Sequence, residues 1–132
     1  MIIIGEIDFI KNLVHHLMLI SSKNQNKMTI SVLVNMSTLV VGGGVQIGVS
    51  FFEFAVNFKS NDIDFHFLLS KSIFDNLSKK HLHNSNYILI EESPAKILKG
   101  WKSRREILEI EKNINPDLVY SLGFPSYIRF NN

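Results

Sequence analysis

Three consecutive glycines are the residues with the clearest chemical potential in this chain. Gly42, Gly43 and Gly44 directly precede an apolar segment that begins at Val45. Glycine lets a backbone approach a ligand closely, and the free N–H groups at the start of a helix attract phosphate and other anions. The run exceeds what a turn requires, so it predicts a binding role. The alternative is a loop that only needs positive φ angles.

A second candidate segment is the run Gly123, Phe124, Pro125 and Ser126, which directly follows an apolar stretch ending at residue 122. If that stretch is the last strand of a parallel sheet, the run lies at the edge where such sheets bind ligands. The sequence leaves two interpretations open for it, a part of a binding site or an ordinary turn.

The glycines do not match the common nucleotide-binding fingerprints. A dinucleotide fold requires the spacing GxGxxG directly after the first strand, with an acidic residue about twenty positions later. Here Gly42 and Gly44 are followed by Gly48, which is one position too late, and the second predicted strand ends without a carboxylate. No Lys-Ser or Lys-Thr pair follows the glycines, as a Walker A loop requires. We therefore predict no nicotinamide, flavin or other cofactor and no metal site.

The glycines are positioned by alternating strands and helices. Short β-branched and apolar runs alternate with segments of helical period, which is typical of right-handed crossovers and a parallel sheet. The prediction is an α/β, Rossmann-like sheet with helices on both faces. The predicted strands are 29–35, 63–69, 86–91 and 117–122, and the predicted helices are 45–58, 72–80 and 103–113.

Two of these helices carry specific signals. The helix at 45–58 is apolar except for one narrow stripe, which predicts a position between two layers and self-association wherever one face stays uncovered. At the last helix, Ser103 and Glu106 have the spacing of a capping box, which predicts that the helix begins there. The polar stripe of the first helix consists of Gln46, Ser50, Glu53 and Asn57.

Composition excludes several classes of protein. The 132 residues are 45% hydrophobic and 20% charged, so the chain has the composition of one folded domain rather than of a disordered tail. A formal net charge of +2 is far from the dense basic field that nucleic-acid binding needs. The chain has no cysteine, which excludes disulfides, thiolate metal sites and cysteine nucleophiles.

The N-terminal region, residues 1–27, is predicted as an amphipathic helix at about 7–20 followed by a polar linker. Apolar side chains fall on one helical face and His15 and His16 on the other. Such a helix packs on its own domain or on a neighbour, or it attaches to a membrane surface. The segment is too short and too charged to span a bilayer, and it lacks the features of a secretory signal.

Several segments together resemble bacterial glycosyltransferases of family 4, which act in the synthesis of capsule, O-antigen and related surface polysaccharides. Residues 30–55 (ISVLVNMSTLVVGGGVQIGVSFFEFA) resemble the opening strand, glycine loop and first helix of these enzymes. Residues 65–70 (FHFLLS) resemble their second strand, and residues 104–127 (RREILEIEKNINPDLVYSLGFPSY) resemble their fourth-strand region. The order and spacing of the segments carry the resemblance, which covers most of residues 28–127.

The resemblance implies a GT-B fold, in which two Rossmann-like domains face each other across a cleft. Residues 28–132 would form the N-terminal, acceptor-side domain, incomplete in this chain, and the donor-binding domain would be missing. The implied activity is transfer of a sugar from a nucleotide-sugar, a co-substrate rather than a cofactor, to a glycan or lipid-linked acceptor. This chain alone would then be inactive, and no catalytic acid or base is predicted. The cleft residues would be Gly42, Gly43, Gly44, Gln46, Phe124, Pro125 and Ser126.

The expected location is cytoplasmic, at the inner face of the membrane with peripheral membrane contact, and the low net charge predicts no nucleic-acid partner. A function from another class also fits the sequence. The chain would then be a non-catalytic interaction module, or a partner subunit completed by a separate donor-binding chain.

Overall fold

The computed structural model describes Asn12, His15, His16, Leu19 and residues 29–58, 61–123 and 127–131. These residues form a four-stranded parallel sheet with the strand order β3-β2-β1-β4, flanked by helices. The α/β, Rossmann-like prediction is thereby confirmed. The elements are β1 (Ile30–Met36), α1 (Gly43–Asn57), β2 (Ile63–Ser70), α2 (Lys71–Asn76), α3 (Lys79–His83), β3 (Asn86–Ile90), α4 (Gly100–Ile114) and β4 (Leu118–Ser121).

Each face of the sheet has its own apolar core. On the first face, alternate residues of the strands pack against α1, α2 and α3, with Phe52, Phe67 and Ile73 almost completely buried. The second face is smaller, and there Leu33 and Leu68 pack with Ile107 of α4. Both faces are covered, but they differ in polarity, because on the second face β1 and β2 contribute only Leu33 and Leu68 as apolar residues, beside polar ones such as Asn35 and His66.

The strand order reverses at β1. The chain proceeds from β1 through β2 to β3 on one side, and then returns to β4 on the other side of β1. The first two crossovers use helices on the first face, and the third uses α4 on the second face. In open α/β sheets, ligands bind outside the carboxyl ends of the strands at such a reversal.

The helix predicted at 72–80 is wrong in one respect, because two short helices replace it. Leu77 adopts an extended backbone with φ −86° and ψ 145°, which ends α2. Ser78 then opens α3, where its hydroxyl accepts a hydrogen bond from the backbone N–H of His81. Serine at this position competes with helix continuation through this local bond, and it starts a new helix instead.

The predicted start of the last helix at Ser103 is also wrong. α4 begins at Gly100, with Lys99 as the preceding cap residue, and Ser103 lies inside the helix with only 3% exposure. Gly100 N–H donates to the carbonyl of Lys96 at 2.8 Å, so the preceding turn leads directly into the helix. The capping-box spacing is therefore present in the sequence, but an earlier turn starts the helix.

A short C-terminal segment covers part of the second face. Ile128 and Phe130 pack against the core beside α4. The buried carboxylate of Glu111 accepts hydrogen bonds from the backbone and side-chain nitrogens of Asn131, at 2.8 and 3.2 Å.

The predicted helix at 7–20 and the linker at 21–27 lie outside the described residues, except for Asn12, His15, His16 and Leu19. Among the described residues, the helices are all too short or too polar to cross a membrane.

Candidate functional site

A buried polar cluster ties the carboxyl ends of β1 and β4 together. Asn35 is 1% exposed, and its Oδ1 accepts hydrogen bonds from Ser37 N at 3.2 Å and Ser37 Oγ at 2.6 Å. Its Nδ2 donates to Ser121 Oγ at 3.4 Å across the strand pair. Because each of these atoms needs a partner when buried, the cluster sets the path of the chain as it leaves β1.

The glycine loop, defined here as residues 37–44, is also held from the side of β2. Ser70 Oγ donates a hydrogen bond to the carbonyl of Leu39 at 2.5 Å, and Ser72 Oγ donates to the carbonyl of Val40 at 2.7 Å. Ser70 is itself buried, and its hydroxyl also caps α2 by accepting from Ile73 N at 3.2 Å. The loop is therefore anchored on both sides before it reaches the glycines.

Most of the glycines that follow this anchor are needed for one of two reasons, either backbone conformation or close packing. Gly42 has φ 66° and ψ −150°, a conformation essentially limited to glycine. At Gly48, a Cβ would lie 2.5 Å from Ile73 Cδ1, so close packing of α1 on α2 accounts for that glycine. At Gly44, a Cβ would lie 3.2 Å from Leu39 Cδ2, a tight contact. Gly43 has an ordinary φ and would place a Cβ in open space, so neither packing nor backbone conformation requires it.

The turn after β4 lies against the glycine loop. Gly123 has φ 88°, and a Cβ there would lie 2.5 Å from Leu39 Cδ2 and 3.4 Å from Thr38 Oγ1. The two predicted site segments are thus brought together through Leu39 at the reversal of strand order. Of the second segment, Phe124, Pro125 and Ser126 lie outside the described residues.

This edge offers hydrogen-bond donors rather than proton-transfer groups. The first N–H groups of a helix have no partner within the helix, and in α1 they belong to the exposed Gly43 and the half-buried Gly44. Gln46, the fourth residue of α1, is exposed near them. Residues 37–48 contain no titratable side chain. The segment is chemically suited to hold an anionic or polar group close to the backbone, and it supplies no acid or base.

A cleft of about 350 Å³ adjoins the glycine loop at the ends of β2 and β3. Its lining includes Val40 of the loop, buried Ser70 and two lysines, Lys71 and Lys96. Lys71 Nζ donates to Asp75 Oδ1 at 2.7 Å, and this hydrogen bond raises the pKa of the exposed lysine. The carboxyl edge therefore continues from the reversal toward β3 as a cleft of mixed lining, in which the apolar Val40 and Ile90 lie beside charged side chains that include Glu91.

Among the described residues, no group of three histidine, aspartate or glutamate side chains is arranged to hold a metal ion. A scan against protein-family models finds no match to this chain, and searches of curated proteins and of solved structures find none either. The fold and the local geometry are therefore what support a functional proposal.

The polar anchors of the site were missed by sequence reasoning. Asn35 is the penultimate residue of β1, and Ser70 is the last residue of β2. A polar residue at the carboxyl end of each of two adjacent buried strands is a usable signal, because both ends lie at the same edge of a parallel sheet. Ser121, at the end of β4, completes the same pattern.

Proposed function

We propose that this chain is the acceptor-side domain of a GT-B glycosyltransferase. In this proposal it works with a donor-binding domain to transfer a sugar from a nucleotide-sugar to a surface polysaccharide or lipid-linked acceptor. The observation that carries the proposal is the position of the glycine loop, which lies at the reversal of strand order beside Gly123. The resemblance of residues 30–55 to the first strand, loop and helix of family 4 enzymes supports the same assignment.

Gly43 supports a binding role within this site. Since packing and φ account for Gly42 and Gly48 but not for Gly43, a close approach of a ligand is the remaining physical reason for a glycine there. The N–H groups of Gly43 and Gly44 would then face a diphosphate or another anionic part of the substrate, at the positive end of the α1 dipole.

The domain's contribution to catalysis would be positioning. The anchors on Asn35 and Ser70 fix the loop before any substrate arrives, so the cost of ordering it is met during folding. No side chain of residues 37–48 can exchange a proton near neutral pH, so acid or base groups would come from outside the glycine loop. Because this proposal assigns most donor contacts to a separate domain, this chain alone should bind without turnover.

Nuclear magnetic resonance of the ¹⁵N-labelled 132-residue chain tests the proposal, because glycine amides occupy their own region of the spectrum. The chain contains seven glycines. In this proposal the donor-binding domain supplies most of the donor contacts, and the glycine loop supplies the remaining ones to the diphosphate. We therefore expect UDP-, GDP- or TDP-sugars to bind this chain weakly and, at high concentration, to shift the amide signals of Gly42, Gly43, Gly44 and Gly123. Gly48 and Gly100, which pack against Ile73 and Pro94, serve as internal controls and should stay in place.

Two results would count against this function. The first is a titration in which no glycine signal moves with any of these donors or with the free nucleoside diphosphates. The second is steady sugar transfer by the purified chain alone. The chain would then contain a complete active site and would need no separate donor-binding domain.

A further inference from the structure

The connection between β3 and α4 is a closed, well-supported turn. Ser93 Oγ accepts from Ala95 N at 3.3 Å, and the carbonyl of Ser93 accepts from Lys96 N at 3.1 Å. Gly100 N then donates to the carbonyl of Lys96 at 2.8 Å. Gly100 packs so tightly against Pro94 that a Cβ would lie 2.5 Å from the Pro94 carbonyl oxygen. The base of this turn is buried, so its tip is held in a fixed direction.

The tip of this turn exposes large apolar side chains. Ile97 is 90% exposed and Leu98 is 86% exposed, the two highest values among the large hydrophobic residues that the structure describes. Trp101, in the first turn of α4, is 55% exposed beside them. A scattered exposed leucine needs no explanation, but here Leu98 and Trp101 line one groove and Ile97 directly precedes Leu98, so large apolar side chains are concentrated at the tip.

Basic side chains lie next to this apolar tip and outnumber the acidic ones, although Glu91, Glu92 and Glu106 line the same groove as Leu98 and Trp101. Lys96 and Lys99 flank Ile97 and Leu98 directly, and Lys102 Nζ lies 5.8 Å from the centre of the Trp101 ring. Arg104 and Arg105 follow on α4. At the base of the turn, Glu92 Oε2 accepts from Lys96 Nζ at 2.5 Å, and this hydrogen bond lowers the pKa of the glutamate.

We propose that the tip formed by Ile97, Leu98 and Trp101 inserts into the interface of a membrane that contains anionic lipids. The aliphatic side chains would enter the acyl boundary, and the indole would lie at the level of the headgroups, where its apolar body and polar N–H are both accommodated. Lys99 and Lys102 would contact lipid phosphates, with their apolar stems along the interface. The proposal rests on this surface alone and does not depend on the proposed glycosyltransferase function.

The residue pattern favours a membrane over a protein partner. Protein interfaces are depleted of lysine at their centre, whereas a lysine-flanked aliphatic and tryptophan tip is typical of surfaces that rest on anionic lipid. Between residues 91 and 106, five basic side chains stand against three acidic ones. The net positive charge complements a negatively charged leaflet, and it would not by itself select a protein.

Trp101 is the only tryptophan of the chain, so its fluorescence reports directly on the tip. The experiment mixes the 132-residue chain with vesicles of phosphatidylcholine, alone or with phosphatidylglycerol, and follows Trp101 emission and vesicle flotation. We expect a shift to shorter wavelength, protection from iodide quenching and flotation with the phosphatidylglycerol vesicles. High salt should weaken the binding, because it screens the lysine contacts.

Substitutions distinguish insertion of the apolar tip into the membrane from non-specific electrostatic attraction of the chain to the vesicle. The double variant Ile97→Ser, Leu98→Ser should lower vesicle partitioning about tenfold or more, since both aliphatic side chains lose their burial. The exposed Ile47 on α1 supplies the matched control, and Ile47→Ser should bind normally. The double variant Lys99→Glu, Lys102→Glu should weaken vesicle binding more than the control double variant Lys79→Glu, Lys80→Glu. The control makes the same charge change on α3, which precedes the amino end of β3. Circular dichroism confirms that each variant is folded.

Three outcomes would overturn the proposal. One is an absence of flotation and of any Trp101 shift with both kinds of vesicle. Another is that the two lysine double variants weaken vesicle binding equally while the Ile97, Leu98 variant has no effect. This result would mean non-specific electrostatic attraction to the vesicle. The third is a wild-type oligomer that does not float and becomes monomeric in the Ile97, Leu98 variant, since the tip would then be a protein interface.

Discussion

Two loops at the same edge of the sheet end in different surfaces. The glycine loop after β1 is tied down by Asn35, Ser70 and Ser72, and after the exposed Val41 it ends in the three glycines. The loop after β3 is tied down at its own base, and it ends in the large apolar side chains of Ile97 and Leu98. Both are preorganised, but the first ends in backbone N–H groups beside the exposed Val41, whereas the second ends in larger apolar side chains flanked by lysines.

The difference shows how a parallel sheet separates tasks along one edge. The glycine loop lies at the reversal of strand order, where the side chains of Asn35 in β1 and Ser121 in β4 meet. The other loop follows β3, the strand at the outer edge of the sheet, where nothing in the described residues covers its tip. A small polar ligand suits the first position, whereas an extended surface such as a membrane suits the second.

The largest effect is expected from Gly100→Ala, which breaks the base of the β3–α4 loop. The new Cβ would lie 2.5 Å from a backbone oxygen of Pro94, and backbone cannot move aside as a side-chain tip can. We expect a loss of about 3 kcal/mol in the free energy of unfolding, or about 12 °C in melting temperature. Thermal denaturation followed by circular dichroism measures this, and an unchanged melting temperature would show that the loop is not packed as described.

A smaller loss is expected from Gly42→Ala, which tests the backbone path of the glycine loop. Because Gly42 has φ 66° and ψ −150°, any larger residue is strained although its Cβ would meet no atom within 4 Å. The strain should cost about 2 kcal/mol, or about 8 °C in melting temperature. A melting curve that matches the wild type would mean that the loop adopts another conformation in solution.

The sequence predicts the features that depend on local patterns of residues, and it does not predict those that depend on contacts between separate segments of the chain. The period of apolar residues predicts β1 and α1 to within two residues at each end, because burial on a sheet is a local pattern. The start of α4 could not be predicted, since it depends on the contact of Gly100 with Pro94. The burial of Glu111 likewise depends on Asn131, twenty residues later, and the sequence of the helix does not predict that partner.

Replacing Asn35 by alanine removes the polar anchor of the glycine loop, and we expect an intermediate to small loss in the free energy of unfolding. The buried Ser37 N–H would lose its acceptor, while the Ser37 hydroxyl can rotate toward another group. We expect a loss of about 1.5 kcal/mol, or about 6 °C. Asn57→Ala is the matched control, because Asn57 is exposed and its side chain donates to the carbonyl of Glu53 within its own helix turn. Equal melting temperatures for the two variants would exclude Asn35 as an anchor.

The smallest effect on stability is expected at Gly43, and this position tests the account most directly. Gly43→Ala places a methyl group in open space at the start of α1, so the melting temperature should stay the same or rise slightly. The decisive measurement is the glycine-amide titration of this variant with the nucleotide-sugar that shifts the wild-type signals. We predict that the shifts at Gly42, Gly44 and Gly123 are lost while the fold is retained. Undiminished shifts in a folded Gly43→Ala variant would contradict the claim that the glycine loop forms a ligand cleft.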